Sequence, residues 1–596
     1  MKRTVLGVAA ILLLIPLSVT MREATAGEPQ LPEPLRAVVE IGSPERLSAH
    51  LGEFSAAVSG APPAPLPLQI LVPQLLSTQD AGTVDLSSPV RVLILQPPLH
   101  SCPAVVFGAK DAGAYLASMA GTVKQEEGWG DILRYEGPGP FRAIGVAGNQ
   151  VVLSTDVSAA KAVVDLIKDG RLTAEPLLPG ADVAVAVRLR MLLEEITETS
   201  GNPFDAVREA LTGAMEQAAV AGGQPAMPAA TKAMLKAELD GLERISRQVE
   251  TLAATFSFGA TGIDAKMRME AAPGSTLAAY IVAIPGGDFR TLPYVPADSM
   301  AAGVAKIGDL TPLLEWYRGL FRESLAAAGM EPDKADRFVG LMKNALALYG
   351  DEMSFAMSAS PDGPLNMTEC ILVKDPAALS ALLPEIAAMT REMSDLYKAM
   401  GMEMSMEVDP AAAAYKGHEI AGWHLQFRFQ PPGGMEPGQA DEAARAMQEA
   451  MEKVLGGPEL TMHSAFLGND WLLTVGKDSL AALEKLMDGE VTALSLPAER
   501  EPLAEGVKPL AVGYLSLSEL ANWYVRLLGS MPAGAALPID LSAMKFEKGA
   551  GVWMSAHCAD NGVECSVTVP AGDLRAIVEG FKNAAARPPA PQPEQP

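Results

Sequence analysis

Ser158-Ala159-Ala160-Lys161 spaces a hydroxyl and an amine one helical turn apart, so a lysine there could activate a serine nucleophile. The companion Lys-Thr-Gly is absent, and a pattern this loose arises about once by chance in a chain of this length. Ser158 follows a β-run and opens a helix, where an N-cap role accounts for it. In a related segment further on, Asp478 or Ser479 sits at the same junction without the lysine.

The six histidines are His50, His100, His418, His424, His463 and His557. His418 and His424 fall on one face of an expected strand, too far apart along it to share a metal without a bend. Met400, Met402, Met404 and Met406 offer soft thioethers of the kind that suit Cu(I). The strict alternation of Gly401-Met-Glu-Met-Ser-Met-Glu407 is instead that of a half-buried strand, with Met402, Met404 and Met406 on the apolar face. Met267 and Met269 alternate in the same way. The neighbouring carboxylates Glu194-Glu195 and Glu126-Glu127 diverge on a helix and read as solvated faces. Of the six tryptophans, Trp129 stands in the first half and Trp316, Trp423, Trp471, Trp523 and Trp553 in the second, mostly at apolar positions of repeated segments. They read as core. A phosphate-binding glycine loop, a dinucleotide fingerprint, a His-Glu-x-x-His pair and paired Cys-x-x-Cys sites are all absent.

Cys558 and Cys565 flank Asp560-Asn561-Gly562-Val563, and a type I′ turn at Asn561-Gly562 would set the two cysteines opposite each other. A disulfide between Cys558 and Cys565 is therefore a possible bridge. Cys102 and Cys370 have no local partner, and no cofactor or metal is called for.

The elements that must position these residues are set by a chain of 596 residues, 49% apolar and 20% charged. That is enough to fold several substantial cores. Lys+Arg number 46 against 72 Asp+Glu, a net charge of −26, so nucleic acid and anionic lipid are disfavoured as partners. Lys2 and Arg3 precede an apolar run from Val5 to Val19 and the small-residue site Ala24-Thr25-Ala26, the pattern of a cleavable secretory signal over residues 1–26. Its removal leaves 43 basic and 71 acidic residues, net −28, and no stretch long enough to span a bilayer as a helix.

Five blocks recur in the same order in the two halves. Arg36–Ile41 with its following helix is answered by Ala301–Ile307, and Val105–Lys110 by Cys370–Lys374. The clearest pair joins a strand, the turn Gly148-Asn149, a second strand and a helix stopping at Asp169-Gly170; its counterpart turns at Gly468-Asn469 and stops at Asp488-Gly489. Val183–Val187 is matched by Leu510–Leu515, and the hairpin around Gly262 by that around Gly562. Such self-similarity points to one unit written twice.

The expected organisation is a signal peptide (1–26), a first α+β domain (27–285), a linker (286–297), a second α+β domain (298–582) with an insert near 390–456, and a disordered Pro-rich tail (583–596). The expected fold class is α+β, two homologous domains from a tandem duplication, each an antiparallel sheet of hairpins with helices packed mainly on one face. Negative chemistry and duplication together lead to an exported, non-catalytic periplasmic or secreted protein that binds a protein or apolar ligand through a groove or apolar surface between the domains. The alternatives are an envelope carrier of an apolar ligand or Cu(I), and a serine hydrolase using Ser158 and Lys161.

Overall fold

The computed structural model describes residues 31–96, 102–177, 180–221, 229–310, 322, 325–326, 330–359, 364–392, 402–429, 437–495, 508–530 and 544–585. The signal segment, His100, Trp316, Met400 and tail residues 586–596 lie outside them. The first ten strands are β1 (Leu35–Ile41), β2 (Val90–Leu95), β3 (Ala104–Gly108), β4 (Thr122–Gln125), β5 (Leu133–Glu136), β6 (Ala143–Ala147), β7 (Gln150–Ser154), β8 (Val183–Val187), β9 (Val249–Gly259) and β10 (Gly262–Ala271). They are followed by β11 (Ala301–Lys306), β12 (Tyr349–Ala359), β13 (Leu365–Val373), β14 (Met402–Tyr415), β15 (His418–Phe429), β16 (Glu459–Leu467), β17 (Asp470–Val475), β18 (Lys508–Leu515), β19 (Val552–Ala559) and β20 (Gly562–Pro570). Every pairing described below is antiparallel, and helices connect many of the strands, so the fold is α+β.

The chain divides into two compact units, and neither is continuous in sequence. The first holds Met1–Pro203, Ser246–Ala278 and Asn561–Arg575; the second holds Phe204–Ile245, Ala279–Asp560 and Ala576–Pro596. This division differs from a single cut at 286–297. In the first unit the strands run β4-β5-β6-β7-β3-β2-β1-β8-β9-β10-β20. In the second they run β14-β15-β16-β17-β13-β12-β11-β18-β19.

Local sequence explains the repeated strand-turn-strand-helix segment. Gly148 and Gly468 take φ of +60° and +64° at the hairpin turns, a conformation costly for any residue with a Cβ. The helix Val157–Lys168 is then capped by Asp156, whose carboxylate accepts from the amides of Ser158 at 2.8 Å and Ala159 at 3.1 Å. Ser158 is thus inside the first turn and is not the cap. The aspartate two residues earlier outcompetes it because its carboxylate reaches two orphan amides at once. Ala159, Ala160, Val163, Val164 and Leu166 form the buried stripe of this helix. A side chain at Gly145 on β6 would stand 2.3 Å from Val164, so glycine there permits the close helix–sheet approach.

Helices cover both faces of each sheet, which corrects the expectation of one face. Val157–Lys168 packs with Val38, Val106, Val152 and Ala186. On the opposite face, the helix Leu189–Ser200 packs Leu192 against Ala37, Val185 and Val187. The second unit repeats the arrangement: the helix Ser479–Met487 lies with Cys370, Ala465 and Leu472, and the helix Pro376–Glu392 lies with Ile371, Val373 and Trp471. Continuous apolar runs such as Val151-Val152-Leu153 and Trp471-Leu472-Leu473 present apolar groups to both sides, and each side requires cover.

Two other boundaries move. The last helix continues to Ala585, past the expected domain end at 582. Asp560 and Asn561, with Asp560 at φ +53°, form the turn before β20 instead of Asn561-Gly562. Cys558 then precedes the turn by two residues while Cys565 follows it by four, so the symmetry the bridge required is lost. None of the four cysteines is in a disulfide. Burial pushes the Cys558 thiol up to about 11.

Each unit buries an ion pair across its first two strands, near the same end. In the first, Arg91 Nε donates to Glu40 at 2.6 Å, and its other nitrogens donate to the carbonyls of Thr173 and Glu175, while Glu40 accepts from the amide of Leu177. In the second, Lys306 Nζ lies 2.7 Å from Glu352 and also donates to the carbonyl of Asp288. Glu352 accepts from the amide and hydroxyl of Thr291 as well. Burial works to raise the Glu352 pKa, but Lys306 and the Thr291 donors outweigh it and hold the group below its ordinary 4.5. The pairs use buried charge to fasten the segments 173–177 and 288–291 to their sheets.

Arg91→Met strands Glu40 without its counter-charge and costs about 3–5 kcal/mol, read as an earlier urea transition of the first unit. Lys306→Met costs a similar amount near neutrality. With a depressed folded pKa, Glu352 in the native protein contributes stability above the ordinary carboxylate range and loses it as pH falls through that range. Without Lys306, burial is opposed only by the Thr291 and Arg290 donors, so the protonated form of Glu352 is favoured more than in the native protein. The urea-midpoint deficit of Lys306→Met therefore narrows as pH is lowered; a constant deficit contradicts the assignment. Peptide mapping without reductant finds no Cys558–Cys565 disulfide, and Cys370 and Cys558 react with a thiol reagent only after denaturation.

Candidate functional site

The residues able to do chemistry do not gather where the sequence patterns place them. Ser158 and Lys161 are both exposed, and among the described residues neither side chain makes a hydrogen bond or ion pair. No base stands ready to activate the hydroxyl. His50 pairs with the buried carboxylate of Asp182 at 2.9 Å, beside Arg46 Nε at 3.1 Å from the same carboxylate. Asp182 also accepts from the amide of Phe258, so this cluster joins the helix Pro44–Ser59 to the sheet. Glu195 accepts from Arg36 and Glu126 from Arg134, consistent with carboxylates spent on structure.

On β14, Met404 and Met406 are buried while Ser405 and Glu407 are exposed, as the alternation requires. Met406 joins a core with Trp423 and Trp471, which consumes its thioether in packing. Among the described residues no group of three or more His, Cys, Asp or Glu side chains is placed to hold a metal.

The side chains that do converge lie on the other face of the same strands. His463 on β16 has Nδ1 2.8 Å from Oγ of Ser479, at the start of the helix Ser479–Met487. Thr474 donates to the carbonyl of Ser479 at 2.7 Å, which fixes the helix start against β17. His424 on β15 pairs its Nδ1 with Glu459, whose other oxygen accepts from Gln426. Burial, and next the charge of His424, hold the His463 pKa below its ordinary value. The hydrogen bond from His424 is the leading cause that lowers Glu459. The Ser479 hydroxyl contacts a histidine as a nucleophile would, but the residue is only 2% exposed and a substrate has no route to it. His418 instead meets the carbonyl of Phe466 at 3.0 Å, so the pair His418 and His424 is not brought together. That His424 and His463 share one face, His463 opposite Gly422 and His424 opposite Thr461, required knowing that β15 and β16 are neighbours, which spacing along one strand cannot reveal.

A cavity of about 450 Å³ in the first unit is lined by Arg171, Arg188 and Arg268 over Val187, Leu252 and Ala253. Its guanidiniums are already committed. Arg188 pairs with Glu33, Arg171 with Asp169, and Arg268 with Glu270 and Glu564. The cavity has no excess positive charge with which to attract an anion.

Among the described residues of the first unit, the most exposed apolar surface follows the Pro-rich stretch Ala61–Pro67. The helix Leu68–Leu76 turns Val72 and Leu76 into the core with Phe107 and Tyr115. Its other side presents Ile70 at 60% and Leu75 at 67% exposure, with Leu66 and Leu71 also exposed. No charged residue occurs between Glu53 and Asp80. The exposed side of the helix mixes these apolar groups with the uncharged Gln69 and Gln74, and a contiguous apolar patch of this kind is a candidate contact surface.

No family model and no curated protein matches the chain. Among solved structures, crystal forms IV and III of TP0453 are similar over 43% of this chain and over 82% and 83% of theirs, at 9% and 7% identity and a TM-score of 0.20 in each case.

Proposed function

We propose that the chain is an exported, non-catalytic binding protein of the bacterial envelope, periplasmic or secreted, descended from a tandem duplication, and that it engages a protein partner through the apolar segment Leu66–Leu75. The observation that carries the binding reading is the exposure of Ile70 and Leu75 on a helix whose opposite side is already buried. Covering such side chains contributes on the order of 1.5–3 kcal/mol each. The absence of charge from Phe54 to Gln79 removes the desolvation cost of burying the surface against another apolar face. A mature charge of −28 directs the choice of partner away from polyanions and anionic lipid and toward a protein with an apolar groove for a short helix.

The duplication is supported by strand order and register together. Mapping β1–β10 onto β11–β20 takes Lys110 to Lys374, Gly148 to Gly468 and Gly262 to Gly562. The pairs then follow: Arg91 opposite Val106 becomes Ser354 opposite Cys370, and Val146 opposite Val151 becomes Phe466 opposite Trp471. A one-residue slip anywhere would reverse the buried faces. Export rests on the segment 1–26 and on a body with little reactive chemistry.

A photo-crosslinking residue at position 70 or 75, placed in the chain expressed in its own host, should trap one and the same protein at both positions. A control at exposed Lys161 should not trap it, and Ile70→Glu with Leu75→Glu should abolish capture while circular dichroism stays unchanged. Crosslinks that are absent, or unaffected by the glutamates, reject the reading.

A further inference from the structure

We propose that the methionine-rich face of β12 and β13 around Phe355 and Glu369 is a docking surface for a basic amphipathic helix of a partner protein. The unpaired carboxylate of Glu369 carries the inference. Phe355 and Leu473 lie directly opposite it in the two ladders that β13 makes. Met367 and Ile371 flank it along its own strand, and Met353 and Met357 stand diagonally across on β12, all on one face because side chains two apart point the same way. Glu369 is thus ringed by apolar groups, and among the described residues it makes no hydrogen bond or ion pair. Burial pushes its pKa up, and no positive neighbour offsets that.

The face is open at this point. The helix Pro376–Glu392 covers its other end, over Ile371 and Trp471, whereas Phe355 is 43% exposed and Met353, Met357, Met367 and Glu369 are half-buried. A Cβ on Gly303 would stand 2.8 Å from the Phe355 ring, so the ring leans across bare backbone of β11 and presents a broad apolar contact.

Charge complementarity selects the occupant. An ionised carboxylate among apolar side chains is poorly solvated and unpaired in the free protein, a cost that a Lys or Arg of the partner relieves while its neighbours bury the apolar rim. Unbranched thioethers adapt to many apolar shapes, which suits the apolar stripe of a helix. The mature charge of −28 attracts a basic segment and repels an acidic one. The surface belongs to the second unit and stands if the Leu66–Leu75 reading fails.

The test uses the full mature chain carrying methyl-labelled methionine, titrated in physiological salt with a short synthetic peptide of Leu and Lys patterned as an amphipathic helix; the control is its Leu–Glu counterpart. The Leu–Lys peptide is expected to bind and to shift the methyl resonances of Met353, Met357 and Met367 but not those of Met267 and Met269, and the Leu–Glu peptide is expected not to bind. Glu369→Gln should keep the fold, with a melting temperature at or above that of the native chain, and weaken binding on the order of tenfold. Phe355→Ala should weaken it comparably. Glu407→Gln, which removes the same charge from the opposite face of the sheet, should leave binding unchanged. Absence of binding, equal binding of the two peptides, or binding that Glu369→Gln leaves intact overturns the proposal. So does self-association of the chain that Phe355→Asp abolishes, which would assign the face to a second copy.

Discussion

Strand β20, made last, is a structural strand of the first unit. It lies against β10 from Gly262 opposite Pro570 to Glu270 opposite Gly562. The ladder is reinforced by Arg268 with Glu564 at 3.0 Å, Thr568 with Asp264 at 2.8 Å, and Asn561 Nδ2 donating to the carbonyl of Ala271 at 2.7 Å. A Cβ on Gly262 would meet the carbonyl oxygen of Val569 at 2.1 Å, so the close approach at that corner demands glycine. Without β20, β10 would present a bare edge of hydrogen-bonding groups, an open template for aggregation. The first unit can complete its sheet only after nearly the whole chain has been synthesised, a contact of very long range and slow closure.

Within each unit, the same economy recurs. Apolar groups point to both faces of the strands and are covered by helices on both sides, while each unit buries an ion pair in which both partners are fully enclosed. Arg91 with Glu40 lies across β1 and β2, and Lys306 with Glu352 across β11 and β12 with the signs exchanged. What is held constant is compensation of charge at that end of the sheet, together with the capture of a connecting segment by the spare hydrogen-bonding capacity of the pair.

Much of the architecture was legible in the sequence because it was written in local signals. Gly148-Asn149 and Gly468-Asn469 marked hairpins, Asp169-Gly170 and Asp488-Gly489 marked helix stops, and Met404 and Met406 alternated onto the buried face. Local signals also misled. Ser158 is a competent cap but Asp156 is a better one, and Asn561-Gly562 is a strong turn that yields to Asp560-Asn561. Each of those misreadings concerns a shift of one or two residues between competing turn or cap chemistries. The candidate site was illegible for a different reason. His424 and His463 are 39 positions apart in numbering and share a face only because β15 lies beside β16. Likewise, nothing local to Gly262–Ala271 announces β20 as its neighbour.

The most direct measurement uses the native thiol of Cys565, which lies opposite Met267 across β10 and β20. In Met267→Cys, mild oxidation should form a disulfide to Cys565, because opposed residues of an antiparallel ladder fall within about 4.4–6.8 Å between Cα atoms. Lys266→Cys, whose side chain projects from the other face, should not form it. Peptide mapping that finds the 267–565 bridge and no 266–565 bridge upholds the placement of the last strand in the first unit. A missing 267–565 bridge in the folded protein, or equal crosslinking from both positions, contradicts it.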